Sequence, residues 1–363
     1  MNNIFDLYTD YLQISLGLAT ATGLSRLMDN SVSHDQVTRM LSNTEFDNKE
    51  LWINVKAIVR QHETDDACLI FDDSIAHKPY TDENEIICWH YDHCSGTSVK
   101  GMNILTMFYH TQKYEQALKV PLAIEIVHKY LMCDLNTKKE HRKSTVNKNE
   151  LLRKQIKIAL KNQVKFSFVL ADSWYSSAEN IRFIYYNKKK YFIFDLKSNR
   201  KATLGDRNKP NWANVSLLEL QANTPTLVWL KDVELPILLF KQVFTNKDNS
   251  TGVRYLVSNK LDLTSNDFIS IYHKRWSVEE YHKSFKQNVC MEKSPTRTVK
   301  TQKTHVFASL VAYIKLERYK FSTGLNHFAQ KGKLFLNATK LAFQDLQKLK
   351  AENEAYEKSL ASA

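Results

Sequence analysis

The chain has 363 residues, of which 43% are hydrophobic and 25% charged, as in an ordinary folded protein of two or three domains. Its formal net charge of +12 indicates a polyanionic partner such as nucleic acid. No apolar run is long enough to span a bilayer, the N-terminus does not resemble a signal peptide, and no P-loop motif is present. We therefore expect a cytoplasmic protein that has no membrane partner and is not a P-loop ATPase.

The positive charge is concentrated towards the C-terminus. Between Lys274 and Lys350 there are 16 Lys/Arg against 5 Asp/Glu, whereas Met1 to Glu63 has 5 against 8. A basic C-terminal third is a better indication of nucleic-acid binding than a uniform excess would be. A basic protein without a nucleic-acid partner is the alternative.

Residues 1 to about 65 have helical apolar spacing throughout. A helix around 20–28 is followed by a turn, and Ser33 with Gln36 forms a capping box that starts the next helix. This order resembles a helix-turn-helix. The local negative charge leaves a plain helical subdomain equally open.

The next region, to about residue 130, has the pattern of a sheet. Residues 67–71 form an apolar run that predicts a buried strand, ending at Asp72, Asp73 and Ser74. A carboxylate at the end of a buried strand is costly unless it is paired or used. Three further strands are predicted around 85–90, 102–109 and 121–127.

A group of possible zinc ligands lies at the end of the first of these further strands and just after it: Cys88, His90, His93 and Cys94. Their spacing does not match the usual zinc frames, and alternate strand residues face opposite ways. Packing of these side chains is therefore favoured over zinc binding.

Residues 147–195 predict a helix followed by a βαβ unit. A helix over 149–162 precedes an apolar strand over 165–171, which ends at Asp172. A helix over 178–188 and a strand over 191–194 follow after short turns. Two buried strands that each end in an aspartate thus belong to one α/β domain.

From residue 196 to 263 the pattern changes to β-rich runs separated by turn residues. These runs are 226–230, 235–244 and 253–257. They predict a small antiparallel insert.

The stretch 271–287 has no Pro or Gly and predicts one helix of more than four turns. At about 100° per residue, a polar face within roughly 60° consists of Tyr272, Arg275, Glu279 and Lys286. A face to be buried consists of Val278, Tyr281, Phe285 and Val289. Glu280 points roughly 100° away from the polar face, so Glu279 is the better functional candidate. A solvated, salt-bridged face is the alternative.

Two strand-borne aspartates, a β-stranded insert and a later helical glutamate resemble the DDE transposases, whose fold is ribonuclease-H-like. The spacing Tyr272-x₂-Arg275-x₃-Glu279-x₆-Lys286 is similar to the signature of the cut-and-paste bacterial insertion-sequence transposases. The resemblance covers roughly residues 66–290. It implies metal-dependent cleavage of DNA at transposon ends and transfer of the 3′-OH strand into target DNA.

The resemblance also implies a role for each motif residue. Asp73, Asp172 and Glu279 would be the catalytic metal ligands, with Asp73 preferred to Asp72 because it directly precedes Ser74. The DNA phosphates near the cleavage site would be contacted by Tyr272, Arg275 and Lys286. Hard Mg²⁺, or Mn²⁺, suits oxygen ligands, and two ions per active site would stabilise the attacking and leaving oxygens.

The predicted fold class is therefore α/β, a ribonuclease-H-like mixed sheet flanked by helices, with a β-stranded insert and helical N- and C-terminal regions. The expected domains are a helical N-terminal DNA-binding or accessory subdomain (1–65), a ribonuclease-H-like catalytic domain (66–195 and 264–325), a β-stranded insertion (196–263) and a C-terminal helical region (326–363). The resemblance implies end recognition and dimerisation near the C-terminus, although a packing helix with a solvated tail is equally open.

Double-stranded DNA, as terminal inverted repeats and target, is the expected partner of a homodimer at the bacterial nucleoid. Two other functions remain open. One is a DNA-binding protein from a decayed element, and the other is a ribonuclease-H-like nuclease without strand transfer.

Overall fold

The computed structural model describes residues 3–43, 45–92, 95–187 and 190–361. They divide into two compact units. The first unit is helical and contains residues 3–43, 284–295 and 308–361. The second contains the sheet, in residues 45–283 and 296–307.

The described residues form ten α-helices and thirteen strands. The helices are α1 Asn3–Ile14, α2 Ala21–Leu27, α3 His34–Asn43, α4 Asn48–His62, α5 Lys148–Lys161, α6 Ala178–Arg182, α7 Ser265–His273, α8 Ser277–Gln287, α9 Val299–Thr323 and α10 His327–Ala361. The strands are β1 Cys68–His77, β2 Cys88–Asp92, β3 Thr97–Thr111, β4 Leu118–Ile126, β5 Tyr130–Cys133, β6 Glu140–Lys143, β7 Phe168–Ala171, β8 Tyr191–Asp195, β9 Lys201–Thr203, β10 Ala213–Asn214, β11 Pro225–Leu230, β12 Ile237–Thr245 and β13 Thr251–Ser258. None of these helices combines the length and apolar character needed to cross a bilayer.

The predicted helix, turn and helix near the N-terminus are present as α2 and α3. The N–H of Gln36 donates to the Ser33 hydroxyl at 3.2 Å, and the N–H of Ser33 donates to the Gln36 side chain at 2.9 Å. This reciprocal pair satisfies N–H groups that the first turn of α3 leaves without helical partners. The predicted capping box is therefore confirmed.

Five strands of the second unit have the order β4-β3-β1-β7-β8. The first three pair antiparallel, whereas β7 is parallel to both β1 and β8. The chain passes from β4 to β7 through the β5–β6 hairpin and α5, and β7 and β8 are joined through α6 and a π-helical turn at Phe183–Asn187. This mixed sheet flanked by helices is ribonuclease-H-like, so the predicted fold class is confirmed.

The β-rich stretch after β8 extends the same sheet instead of forming a separate one. Strands β11, β12 and β13 pair antiparallel, and β13 pairs with β8. The result is an eleven-stranded sheet. The edge of β8 that would otherwise be open is therefore covered by the insert.

Two local predictions were wrong, and one element was not predicted. Strand β1 does not end at the aspartates but continues to His77. The stretch 271–287 is not one helix, because a 3₁₀ turn over Lys274–Trp276 separates α7 from α8. The hairpin of β5 and β6 was not predicted at all, since its exposed residues carry no apolar alternation.

Candidate active site

The centre of the site is the point at which strand β7 stops beside β1. The two strands pair in parallel from Cys68 beside Phe168 to Phe71 beside Ala171, and the pairing then ends. Asp72 follows on β1, and Asp172 follows β7. A crevice beyond the carboxyl ends of neighbouring parallel strands is a common ligand site in α/β sheets.

Because successive residues of a strand point to opposite faces, the side chains of Asp72 and Asp73 lie on opposite faces of the sheet. Asp72 lies on the face that carries helix α8. On that face the ring of Phe108 lies 4.8 Å from that of Tyr281, and His110 Nδ1 lies 2.7 Å from the hydroxyl of Ser277. These contacts fix α8 against β3 and direct its first turn towards Asp72.

Helix α8 and the residues directly after it bury the side chains that the apolar spacing predicts. Val278, Tyr281, Phe285 and Val289 are all at most 2% exposed. The glutamates of its first turn differ in their contacts. Glu280 forms an ion pair with Lys119 at 2.6 Å, whereas Glu279 lies 3.7 Å from Arg275.

Asp72, Glu279 and His282 form the group of acids and imidazole that could hold a metal ion in the described part of the chain. Their potential ligand atoms lie within 4.8 Å of one another. Arg275 lies between the two acids, with Nη1 3.6 Å from Asp72 and 3.7 Å from Glu279. Two carboxylates and an imidazole at this separation suit a divalent cation.

Burial raises the pKa of Asp72 to about 8, and the Glu279 carboxylate adds to this rise while Arg275 opposes it. Burial also raises the pKa of Asp172. The N–H of Trp174, which donates to Asp172 Oδ1 at 3.0 Å, opposes this rise. The like charge of Asp73 raises it further. Gathered acids with raised pKa values are typical of sites that need a cation to be fully ionised.

Asp73 has different partners on the opposite face of the sheet. It accepts hydrogen bonds from Lys148 Nζ at 2.7 Å, Asn103 Nδ2 at 2.7 Å and the Tyr175 hydroxyl at 3.0 Å. Burial would raise the pKa of Asp73, but Lys148 and these hydrogen bonds lower it below its ordinary value. Asp73 is thus held as a carboxylate by protein groups.

The three residues predicted to bind DNA do not share one environment. Arg275 lies in the acidic group described above. Tyr272 is 5% exposed, its hydroxyl donates to the carbonyl of Ala171 at 3.4 Å, and the guanidinium groups of Arg254 and Arg275 lie 5.7 Å from its ring. Lys286 belongs to the first unit, where it pairs with Glu292 at 3.1 Å.

The sequence prediction preferred Asp73 to Asp72 as the first acid, whereas in the structure Asp72 is the aspartate that is grouped with Glu279 and His282. The prediction did not include His282, although Glu279-x-x-His282 is a spacing that places two side chains on one helix face. The alternative zinc group is only partly described: Cys88 Sγ and His90 Nε2 lie 3.3 Å apart, and His93 and Cys94 lie outside the described residues.

Two comparisons with known proteins bear on this site. The sequence model of a family described as "Transposase DDE domain" matches residues 68–315. This range contains β1, β7 and α8 and so all the acids named above. No curated protein sequence matches the chain.

Proposed function

Because the chain belongs to the transposase DDE-domain family, we propose that it is a DDE transposase that cleaves DNA at transposon ends and joins the freed 3′-OH to target DNA. One observation carries this proposal. Asp72 and Glu279, which are distant in sequence, meet within metal-binding distance where β7 ends before Asp172.

We propose Asp72, Asp172 and Glu279 as the metal-binding acids, with His282 as a further donor. Asp73 remains the competing candidate for the first position, but its contacts with Lys148, Asn103 and Tyr175 favour a supporting role. Bound Mg²⁺ or Mn²⁺, as two ions, would stabilise the attacking and leaving oxygens of the phosphodiester.

The chain's own cations would orient the acids and the DNA. Arg275 is 16% exposed in its side chain and contacts both Asp72 and Glu279, so it limits their mutual repulsion and can present N–H groups to a phosphate. Tyr272 would support Arg275 by packing against it. Its hydrogen bond to the carbonyl of Ala171 would fix the end of β7. Lys286 would supply a point charge for the DNA backbone.

The finer assignment is the insertion-sequence type with the Tyr-Arg-Glu-Lys signature. It is supported by the spacing of Tyr272, Arg275, Glu279 and Lys286. We therefore propose a bacterial protein that acts at the nucleoid on double-stranded terminal repeats and target DNA. The net charge of +12 supports such a partner.

We further propose that the protein acts as a homodimer joined through α10. A stripe with alternating spacings of three and four residues runs along this helix, in the order Leu346, Leu349, Asn353, Tyr356 and Leu360. All five side chains are exposed in the single chain. Such a stripe is typical of a two-stranded coiled coil, and a single Asn within it fixes the register.

The central test is the substitution Glu279→Gln. It keeps the shape of the side chain but removes one negative charge, so we expect cleavage of terminal-repeat DNA in Mg²⁺ to fall at least about 10³-fold while DNA affinity stays within about threefold. Glu280→Gln, next to it on the same turn, is the matched control and should cleave normally. Normal nicking by Glu279→Gln would refute the proposed site.

A joining assay separates a transposase from a nuclease. A duplex with a pre-cleaved 3′-OH end is incubated with supercoiled target DNA and Mg²⁺, and joined products are measured. The proposed function predicts joining that Glu279→Gln abolishes. Metal-dependent nicking without any joining would favour a nuclease that lacks strand transfer.

A further inference from the structure

A further acid lies at the same edge of the sheet as the proposed metal-binding acids. Asp195 is the last residue of β8 and follows Phe194, which pairs with Ala171 of β7. Asp195 and Asp172 therefore lie at the carboxyl ends of neighbouring parallel strands. Burial raises the pKa of Asp195, Arg254 opposes this rise, and the like charge of Asp172 adds to it. The carboxylate of Asp195 is thus within electrostatic reach of the site.

The partner of this acid comes from the insert. Arg254 lies on β13, which pairs with β8 so that Leu256 is opposite Asp195. Alternate residues of a strand share a face, so Arg254 and Asp195 have their side chains on one side of the sheet. Arg254 Nε lies 3.8 Å from Asp195 Oδ2. A charge of the insert is therefore balanced by an acid of the catalytic strands.

The ring of Tyr272 lies close to two guanidinium groups. The guanidinium carbons of Arg254 and Arg275 are each 5.7 Å from the ring centre, a distance at which cations interact favourably with an aromatic face. Two cations near one ring also repel each other, and Asp195 neutralises one of them. A cavity of about 120 Å³ borders Arg254, Tyr272 and Arg275, so loss of a contact leaves these side chains room to move.

We propose that Asp195 is a positioning residue of the active site and acts through Arg254. Asp195 keeps the Arg254 guanidinium beside the ring of Tyr272, and the ring in turn keeps Arg275 at its place between two acids. Small displacements of positioned groups cost large factors in rate, up to about 10²-fold for 1 Å. This inference rests on the proposed function, because that function gives Arg275 its role beside the metal-binding acids.

The alternative is an ion pair that only ties the insert to the catalytic strands. The chain contains a second pair of this kind, because Arg182 of α6 lies 3.4 Å from Glu234 of the insert. Within the described part of the chain, neither of these residues forms an ion pair or a ring contact with Tyr272 or Arg275. Partly exposed ion pairs contribute little to stability, so a simple tie predicts almost no effect on cleavage. Glu234→Gln is therefore the matched control.

The first test measures single-turnover cleavage of terminal-repeat DNA in Mg²⁺. Asp195→Asn should slow cleavage about tenfold, while DNA affinity stays within about threefold and the Tm within about 2 °C. Asp195→Glu, which keeps the charge, should stay within about threefold of the wild-type rate. Glu234→Gln should cleave at the wild-type rate. If Asp195→Asn cleaves as fast as this control, the positioning role is refuted.

A double-mutant cycle tests whether the effect passes through Arg254. Arg254→Gln should slow cleavage by about the same factor as Asp195→Asn, because either change removes the same contact. The double variant should be no more than about twofold slower than the slower single variant. Losses that multiply to about a hundredfold would show that the two residues act independently, and this result would overturn the proposal.

A spectroscopic readout in EDTA does not depend on cleavage. In protein labelled with ¹⁵N at the arginine Nε, the signal of Arg275 is assigned from its loss in Arg275→Lys. The ring current of Tyr272 acts on this signal, so Asp195→Asn should shift it and Glu234→Gln should not. An unchanged signal in Asp195→Asn refutes action on Arg275, even if cleavage is slower.

The positioning role and the proposed function fail in different measurements. A wild-type protein that cleaves, with Asp195→Asn indistinguishable from Glu234→Gln, refutes the positioning role alone. A wild-type protein that never cleaves in Mg²⁺, although the Arg275 signal shifts in Asp195→Asn, refutes the proposed function and leaves the contacts from Asp195 to Arg275 supported.

Discussion

At the scale of single residues, two adjacent aspartates have opposite environments. Asp72 lies among Arg275, Glu279 and His282 with a raised pKa, and Asp73 is neutralised by Lys148 on the other face of the strand. Protein groups thus satisfy one acid, whereas the other lacks enough positive charge nearby. A cation would supply this missing charge, and we infer that Asp72 is the acid that needs it.

Substitutions of the two aspartates should therefore have different effects. Asp72→Asn should weaken Mn²⁺ binding by at least about tenfold without lowering the Tm of the metal-free protein, because it removes a like charge. Asp73→Asn should lower the stability by about 1–2 kcal/mol, since it leaves Lys148 without its charged partner. Calorimetric titration and thermal melts in EDTA measure both. Loss of metal binding only in Asp73→Asn would reverse the assignment.

The raised pKa of Asp72 also predicts a pH dependence. Its pKa is near 3.8 in an unfolded chain and about 8 in the folded one, so the folded state binds more protons between these values. The free energy of unfolding therefore falls as pH rises through this window. In EDTA, the Tm of the wild type should decrease between pH 6 and 9. The free energy of unfolding of Asp72→Asn should fall less than that of the wild type over this range, by on the order of 1–2 kcal/mol. Superimposable pH profiles would contradict this.

At the scale of elements, periodicity identified most of the strands and helices of the sheet-bearing unit. It failed where local geometry departs from a regular period. The 3₁₀ turn at Lys274–Trp276 lies in a sequence without Pro or Gly, so no residue marks the interruption. The length of β1 was underestimated because Asp72 and Asp73 break its apolar run, and without that length the face of each aspartate could not be assigned.

The heptad-like stripe of α10 yields a prediction at this scale. Leu349→Lys places a charge at the centre of the proposed seam and should convert a dimer into a monomer, as measured by light scattering or sedimentation. Leu341→Lys is the control, because Leu341 is 63% exposed, similar to Leu349 at 61%, but lies off the stripe. A wild-type chain that is monomeric at high concentration would refute the seam.

At the scale of the whole molecule, one eleven-stranded sheet contains both the ribonuclease-H-like strands and the insert. Pairing of β13 with β8 makes the insert part of the same hydrogen-bonded layer as the acid-bearing strand. A sequence cannot easily indicate this, because pairing between distant strands depends on which edges remain open after the chain folds. The short strands β9 and β10 were not predicted for the same reason, because they form by pairing with other strands and have no distinctive sequence pattern of their own.

The abrupt end of β7 has a consequence for amide hydrogen exchange. Residues Cys68–Phe71 of β1 pair with strands on both sides, whereas the β7 pairing does not continue beyond Phe71. We expect protection of Leu69 to Phe71 to match the global unfolding free energy of their unit, with protection dropping along the strand after Phe71. Mass spectrometry of exchanged peptides would detect this step. The proposed catalytic acids would then lie at the boundary between a slowly exchanging segment, Leu69 to Phe71, and a following segment that opens locally. The following segment could therefore adjust to a substrate while the slowly exchanging segment stays folded.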